Sequence, residues 1–237
     1  MDYQTFADIK TKVEVELDIE VEEFIQPDEF RKYVNAGIAV AEAAIHKLGL
    51  EDEYFLTKAY LPLTTGQEDV ALPTNIYSNK IRAVIYRNGT TIYPIRRLRA
   101  KDKFADLEES NLQSNASDWY SYLLRNDSAN AGVVMELTPP SRETSTQNVK
   151  LWFIRKANKW TVLANDNELC DLPEIAMEFL YQYVKYRCYE KEGHPNAADA
   201  KADLKELQSL MIQTLEQMVQ DDDTEVIKDL SHYEDMS

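Results

Sequence analysis

Three residue types that build most enzyme sites are scarce in this chain of 237 residues, which has 6 glycines, 3 histidines and 2 cysteines. There is no glycine-rich loop that could cradle a phosphate, and no GxSxG segment that could present a serine nucleophile. His46, His194 and His232 are isolated, with no cysteine or carboxylate at zinc-site spacing. Nothing selects one pair among the carboxylates for acid-base work. The sequence therefore predicts no catalytic, metal-binding or cofactor-binding residue, and favours a structural protein over an enzyme.

The two cysteines, Cys170 and Cys188, are too few for a disulfide framework. They lie 18 positions apart (188 − 170) in a segment that reads as one helix. A rise of about 1.5 Å per residue would separate them by about 27 Å. They are therefore predicted to be free, buried and small hydrophobic side chains, unable to pair or to share a metal within one chain.

Long apolar runs are also missing, since no stretch approaches the roughly 20 residues that cross a bilayer. No charged segment followed by an apolar one opens the sequence. We therefore expect a soluble, intracellular chain without a membrane partner. With 44% hydrophobic residues, it is long enough to bury one substantial core or two modest ones.

Acidic residues outnumber basic ones by 42 to 26, which gives a net charge of −16. This charge repels the phosphate backbone, so we expect no sequence-general binding of nucleic acid. The charge is uneven, however. Arg96, Arg97 and Arg99 lie in the basic segment IRRLRAKDK, whereas Glu216 to Asp235 contains eight acidic residues and one basic residue, Lys228. Each segment is either a solvated surface or a contact for another molecule.

Residues 1–53 read as an N-terminal helical segment. In KVEVELDIEV the apolar residues alternate with charge, which is typical of a half-buried strand. We favour a helix to about residue 18, followed by an extended turn, because Phe6 and Ile9 continue the helical period towards the N-terminus.

A second helix is predicted from Asp28 to Lys47. Pro27 marks its start, and two acidic residues in the first turn suit the positive end of the helix dipole. Gly49 is the expected stop. The small residues of AGIAVAEAA would allow a neighbouring helix to approach closely.

Residues 54–165 predict an inserted antiparallel β-sandwich or barrel domain. The strongest local pattern is IRAVIYRNGTTIYPI, in which Asn88-Gly89 is expected to form a tight hairpin turn between two β-rich runs. A short helix is expected near residues 102–109. Further strands are predicted at Leu56–Leu63, Trp119–Arg125, Gly132–Leu137 and Val149–Ile154.

Residues 166–219 return to helix and are expected to complete the bundle. Pro173 suits the first turn of one helix, Gly193 ends it, and a second helix runs from Ala197 to Val219. Residues 220–237 form an acidic C-terminal arm, expected to be extended or disordered until bound. The overall prediction is an α+β fold, a helical bundle formed by N- and C-terminal helices around an inserted β domain.

The helix that follows Pro173 is rich in tyrosine. Its tyrosines point to more than one helix face, so a single core does not easily take all of them, and tyrosine suits protein interfaces. They either meet a neighbouring subunit or cover the β part of the same chain. The candidate interface tyrosines are Tyr181, Tyr183, Tyr186 and Tyr189.

Four segments, read in order, resemble the head-to-tail connector, or adaptor, proteins of tailed bacteriophages. EFIQPDEFRKYVNAGIAVAEAAI is similar to the second helix of that family, with Tyr33, Val34, Asn35 and Gly37 at its characteristic turn. ALPTNIYSNKIRAVIYRNGTTI is similar to the entry into its β part. MELTPPSRETSTQNVKLWFIRKANKW resembles its Pro-rich link and aromatic strand, and LPEIAMEFLYQYVKYRCYEKEG its tyrosine-rich helix.

The resemblance implies a virion protein, assembled in the host cytoplasm into a ring, commonly of twelve copies, between the portal and the tail or other neck proteins. DNA would pass through the ring without specific binding. The implied subunit contacts involve the four tyrosines and Arg96, Arg97 and Arg99. The implied portal-docking arm contains Asp221, Asp222, Asp223, Glu225 and Tyr233.

Two other classes of function stay open. An acidic monomeric module could inhibit a host enzyme or imitate the phosphates of DNA. A hydrolase with a dispersed carboxylate site would need a deep pocket with two carboxylates whose pKa values differ.

Overall fold

The computed structural model describes residues 4–17, 25–88, 90–98, 120–127, 132–161 and 167–230, with only the backbone at 88 and 219–230. Within these ranges the chain has five helices and eight strands, which confirms the predicted α+β class. The helices are α1 Phe6–Leu17, α2 Pro27–Leu48, α3 Glu51–Phe55, α4 Glu174–Glu192 and α5 Ala197–Leu230.

The strands form two four-stranded sheets. One has the order β1-β8-β3-β4 and the other β2-β7-β6-β5. All pairings are antiparallel except that of β5 with β6. The strands are β1 Leu56–Leu63, β2 Asp69–Ala71, β3 Ile76–Asn88, β4 Thr91–Pro94, β5 Arg96–Arg97, β6 Ser121–Asp127, β7 Gly132–Thr138 and β8 Ser145–Arg155.

The chain divides into two compact units. Phe55–Lys156 form the β unit, and the residues on either side of it form the helical unit. The described residues 157–161, which the sequence-based division assigns to the β domain, pack with the helices. We call them the return segment, because they follow β8 at the point where the chain re-enters the helical unit.

In the helical unit, α4 packs against α1, α2 and α5. This central position explains why it buries side chains on several faces, including Phe179, Leu180 and Cys188. Helices α2 and α4 end as predicted, because Gly49 and Gly193 adopt the left-handed conformation with φ of 81° and 71°. Each glycine N–H donates to a carbonyl of the last helical turn.

The conflict between helix and strand in the first segment is resolved in favour of helix. An alternating strand would place Val13, Val15 and Leu17 on one face. Instead, Val13 and Leu17 are buried while Val15 is 75% exposed. The expected extended turn falls mostly on residues 18–24, outside the described residues.

The β unit is a sandwich whose two sheets share one core. Residues of β1, β3 and β8 from the first sheet meet residues of β2, β6 and β7 from the second. At its centre the ring of Tyr86 lies 4.3 Å from that of Tyr120, and the Tyr86 hydroxyl is 3.1 Å from the hydroxyl of Ser141. The predicted sandwich is therefore confirmed.

The predicted hairpin is confirmed, but the predicted position of its turn is wrong by one residue. Asn88 pairs with Thr91 as the last rung of β3 and β4, so Asn88 belongs to the strand and not to the turn, while Gly89 lies outside the described residues. Strand pairing extends to Asn88 because its cross-strand partner remains in register.

Two further details differ from prediction. The last helix does not stop near Val219 but continues to Leu230, so the predicted extended conformation of residues 220–230 is wrong. Its residues have ordinary helix propensity and contain no glycine or proline to interrupt the backbone hydrogen bonds.

Cys170 precedes α4 instead of lying on it, because that helix begins only after Pro173. The short helix expected near 102–109 lies outside the described residues.

Candidate interaction surfaces

One face of α2 binds the return segment through three side chains. Arg31 donates to the carbonyl of Thr161 at 2.7 Å, and Glu42 accepts the Ala157 N–H at 2.7 Å. Between them, the Asn35 amide donates to the Trp160 carbonyl and accepts the Trp160 N–H, both at 2.9 Å. These spacings of four and seven residues place all three on one helix face. The segment is thereby held against α2 without belonging to any helix or strand.

The hydrogen bonds of Asn35 give a structural role to the turn motif Tyr33, Val34, Asn35 and Gly37, which the sequence shows only as a pattern. Replacing Asn35 by alanine is expected to lower the free energy of unfolding by about 2 kcal/mol, because the Trp160 N–H and C=O both lose their partner. Chemical denaturation followed by circular dichroism measures the change. Asn75 is the matched control, since it is exposed in the β unit and its side chain makes no such bonds. Equal losses for both alanine variants would contradict the assigned role.

The same motif contains the contact between α2 and α4. A Cβ atom at Gly37 would lie 2.5 Å from Cδ1 of Leu180 and 3.1 Å from Cδ1 of Tyr183. Only glycine permits this approach without displacement of the neighbouring helix. The predicted close approach along AGIAVAEAA is thus confirmed at Gly37.

Charged and aromatic side chains join the start of α2 to the end of α4. Glu29 accepts a hydrogen bond from Tyr33 at 2.8 Å and pairs with Lys191. The hydrogen bonds from Lys191 and Tyr33 hold the pKa of the Glu29 carboxyl below its usual value. Burial, together with the bond to Glu29, raises the pKa of Tyr33 to about 12. Arg187 lies 5.3 Å from the centre of the Tyr33 ring.

The four candidate tyrosines of α4 all have partners within the chain. Tyr181 is 2% exposed, lies under the ammonium group of Lys12 at 3.7 Å, and has a pKa that burial raises to about 12. Tyr183 packs on Phe179 and on α2 at Gly37. The packing therefore places Tyr181 inside the core of the chain, and this core is helical rather than the β part.

The two tyrosines nearest the end of α4 are half-buried. Tyr186 donates a hydrogen bond to Glu190 at 2.6 Å, which raises its pKa. Tyr189 stacks on His194, with ring centres 4.6 Å apart. Both keep part of their rings accessible to another molecule.

The two thiols lie inside the helical unit. Cys170 and Cys188 are both free and buried, as the sequence predicts, and burial raises the pKa of each to about 12. At pH 8 only about one thiol in ten thousand would then be ionised, and the thiolate is the nucleophile.

A thiol-reactive chromogenic disulfide at pH 8 is therefore expected to leave the native protein unmodified over minutes. In denaturant the same reagent should titrate two thiols per chain, which is the count in the sequence. Reaction of the native protein at the rate of the denatured one would contradict the buried positions of both cysteines.

The basic segment is only partly described. Arg96 and Arg97 form β5, both are exposed, and they pair in parallel with Ser121 and Tyr122 of β6. Arg99 lies outside the described residues. Two of the three candidate arginines thus lie on an edge strand of the β2-β7-β6-β5 sheet.

Four of the five candidate arm residues lie within the described part of the chain. Asp221, Asp222, Asp223 and Glu225 belong to α5. Tyr233 lies outside the described residues. Their role as a docking arm stays a prediction.

One surface that the sequence analysis missed lies on the β1-β8-β3-β4 sheet, on the side away from the sandwich core. We call it the outer sheet face. Each of the segments LTKAYLPL and VKLWFI has a lysine and an aromatic residue two positions apart, and this alternation is the pattern that could have indicated the face. Its main side chains are those of Lys58, Tyr60, Arg87, Ile92, Lys150 and Trp152.

Metal sites and membrane-spanning helices are both absent from the described residues. They contain no group of three or more His, Cys, Asp or Glu side chains that could hold a metal ion. Among their helices, none is both long and apolar enough to span a membrane.

The chain matches the family model described as SU10 adaptor protein over residues 4–227. No curated protein matches it. The matched range includes α1, α2, the return segment, the β unit, α4 and most of α5, so it contains each contact described above. The chain therefore belongs to the SU10 adaptor protein family and is a phage structural adaptor, a virion component that interacts with other virion proteins.

Proposed function

We propose that copies of this chain assemble into a ring that connects the portal to the tail and surrounds the DNA exit channel. The match to the adaptor family over residues 4–227 carries this proposal. An adaptor must contact a different protein at each end, which requires exposed surfaces of more than one chemistry. The β5 arginines and the outer sheet face are two exposed surfaces that meet that requirement, and the acidic residues of 216–230 add a segment of opposite charge.

The charge of the chain suits a channel through which DNA slides. Each copy carries a net charge of −16, and a ring multiplies that charge around one axis. Like charge prevents the phosphate contacts and counterion release that would hold the duplex in place. The ring would therefore guide DNA without binding it.

A closed ring uses heterologous contacts, in which one surface of a subunit meets a different surface of the next. The candidates for these contacts are Arg96, Arg97 and Arg99 and the accessible parts of Tyr183, Tyr186 and Tyr189. The acidic end of α5 is proposed to reach either the portal or the neighbouring subunit.

Co-expression with the portal protein of the same phage, followed by electron microscopy of the purified particles, tests the proposal. We expect a ring of this chain on the portal, and averaging along its axis gives the copy number. A chain that stays monomeric and never decorates the portal would overturn the proposal. If that monomer also competed with DNA for a host enzyme, the acidic binding module would be supported instead.

A further inference from the structure

We propose that the outer sheet face is the docking surface for the acidic end of α5 of a second copy of this chain. This inference rests on the proposed ring and assigns two of the surfaces that meet in it. It selects the neighbouring subunit, rather than the portal, as the contact of residues 216–230.

Strand register determines which side chains share the outer sheet face. The core of the β unit takes Leu61 from β1 and Leu151 from β8, so the residues between inward positions face away from it. Lys58 pairs with Trp152, and Tyr60 pairs with Lys150. The face therefore alternates cations and aromatic rings across β1 and β8.

The two lysines of this face lie near an aromatic ring instead of a carboxylate. The ammonium group of Lys150 lies 4.8 Å from the centre of the Trp152 ring, and that of Lys58 lies 5.9 Å from it. Lys58, Lys150 and Arg87 form no ion pair within the part of the chain that the structure describes. In a chain with a net charge of −16, such a set of uncompensated cations is available to an acidic partner.

Acidic residues are absent from the outward positions of the four strands. These positions include Leu56, Lys58, Tyr60 and Pro62 on β1, Ala83, Ile85 and Arg87 on β3, Ile92 and Pro94 on β4, and Lys150, Trp152 and the buried Ile154 on β8. Several large side chains of this face are exposed to solvent: Ile92 is 54% exposed, Tyr60 47% and Leu56 41%. Exposed aromatic and apolar side chains gathered on one face are typical of a protein interface. The cations beside them select an acidic partner.

The acidic end of α5 is the complementary surface within the same sequence. Residues 216–230 contain six acidic residues, Glu216, Asp221, Asp222, Asp223, Glu225 and Asp229, against Lys228 alone. The same stretch also carries the apolar residues Val226, Ile227 and Leu230. Its backbone is helical to Leu230, so a second copy would meet it as a continuation of α5. A heterologous ring contact needs two such different, complementary surfaces on every copy.

Charge reversal in the full-length protein tests the pairing. Replacing both lysines, Lys58→Glu with Lys150→Glu, is expected to raise the dissociation constant for self-association about 100-fold in sedimentation velocity. The control, Lys159→Glu with Lys205→Glu, makes the same change in net charge at exposed positions of the helical unit and should leave association unchanged. Circular dichroism verifies that both variants are folded.

A compensating change keeps the test decisive. Asp222→Lys with Asp223→Lys should weaken association by itself, and should restore it to within about tenfold of the wild type when combined with the two lysine reversals. Carbodiimide cross-linking of mixed unlabelled and isotope-labelled copies should join Lys58 or Lys150 of one copy to residues 221–225 of another.

The outcomes separate this inference from the proposed function. Rings that decorate the portal normally with the lysine reversals, or cross-links from residues 221–225 to the portal, would overturn the inference and leave the ring proposal intact. Loss of duplex DNA binding in the reversed variant, with association unchanged, would identify the outer sheet face as a DNA contact and also overturn it. A chain that never assembles would defeat both proposals.

Discussion

Replacing Trp160 by alanine is expected to lower the free energy of unfolding by about 4 kcal/mol. The indole is 1% exposed and lies parallel to the ring of Phe6, with centroids 5.4 Å apart and an angle of 3° between the planes. Its other side meets the edge of Phe30 at 6.1 Å and 87°. The truncation removes both aromatic contacts and leaves a cavity between α1, α2 and the return segment. The hydrogen bonds between the Asn35 side-chain amide and the backbone of residue 160 hold the return segment in place, so the cavity cannot collapse.

Trp152→Ala is the matched control, because Trp152 is half-buried on the outer sheet face. Its loss should stay below about 1.5 kcal/mol, since the ring gives up only part of its buried area. Denaturant titration followed by circular dichroism gives both values, and hydrogen exchange locates them. In Trp160→Ala the amides of α1 and α2 should lose protection first, while those of β3 and β8 stay protected. Equal losses in the two variants would contradict the central place of Trp160.

Replacing Gly37 by leucine is expected to lower the free energy of unfolding by about 3 kcal/mol. Even the first side-chain carbon would lie 2.5 Å from Cδ1 of Leu180, which is fully buried. The new side chain must push α4 away from α2, and the ion pair of Glu29 with Lys191 would be strained as a consequence.

Ala43→Leu is the control for Gly37→Leu, because it adds a leucine to an exposed position of the same helix. Leucine and alanine both favour helix, so this change should alter the free energy of unfolding by less than about 0.5 kcal/mol. The thermal midpoint of each variant, measured by calorimetry, compares them. A Gly37→Leu variant as stable as Ala43→Leu would mean that the two helices do not approach as closely as described.

The variants of Trp160 and Gly37 also distinguish effects on the folding of the subunit from effects on ring assembly. Trp160 and Gly37 lie inside the helical unit, so their variants should fail to form rings only under conditions in which they unfold. The lysine reversals on the outer sheet face change no buried side chain, and should weaken association in a folded protein. A melting curve beside an assembly assay therefore distinguishes a residue that builds the subunit from one that joins subunits.

Local patterns predicted most of the elements of this chain, and the exceptions have physical causes. The bounds of β1 and the glycine stops of α2 and α4 follow from alternation and from backbone conformations that glycine adopts most easily. The predicted end of α5 at Val219 was wrong because an acidic composition indicates only that a segment is solvated. Whether the helix continues depends instead on the absence of glycine and proline. The hairpin turn was misplaced by one position because cross-strand register, and not the Asn-Gly pair alone, selects the turn residues.

The sequence by itself determined the α+β class, the order of helices and strands, the buried state of the thiols and the acidic charge. Each of these depends on residue type or on spacing along one element. Only the tertiary structure decided that Tyr181 and Tyr183 of α4 pack against α1 and α2, that Asn35 binds the backbone of Trp160, and that the cations of β1 and β8 share one face. These pairings join positions about 90 to 170 residues apart, from Lys58 with Trp152 to Lys12 with Tyr181. Spacing along one element does not encode them, because they depend on which surfaces the folded chain brings together.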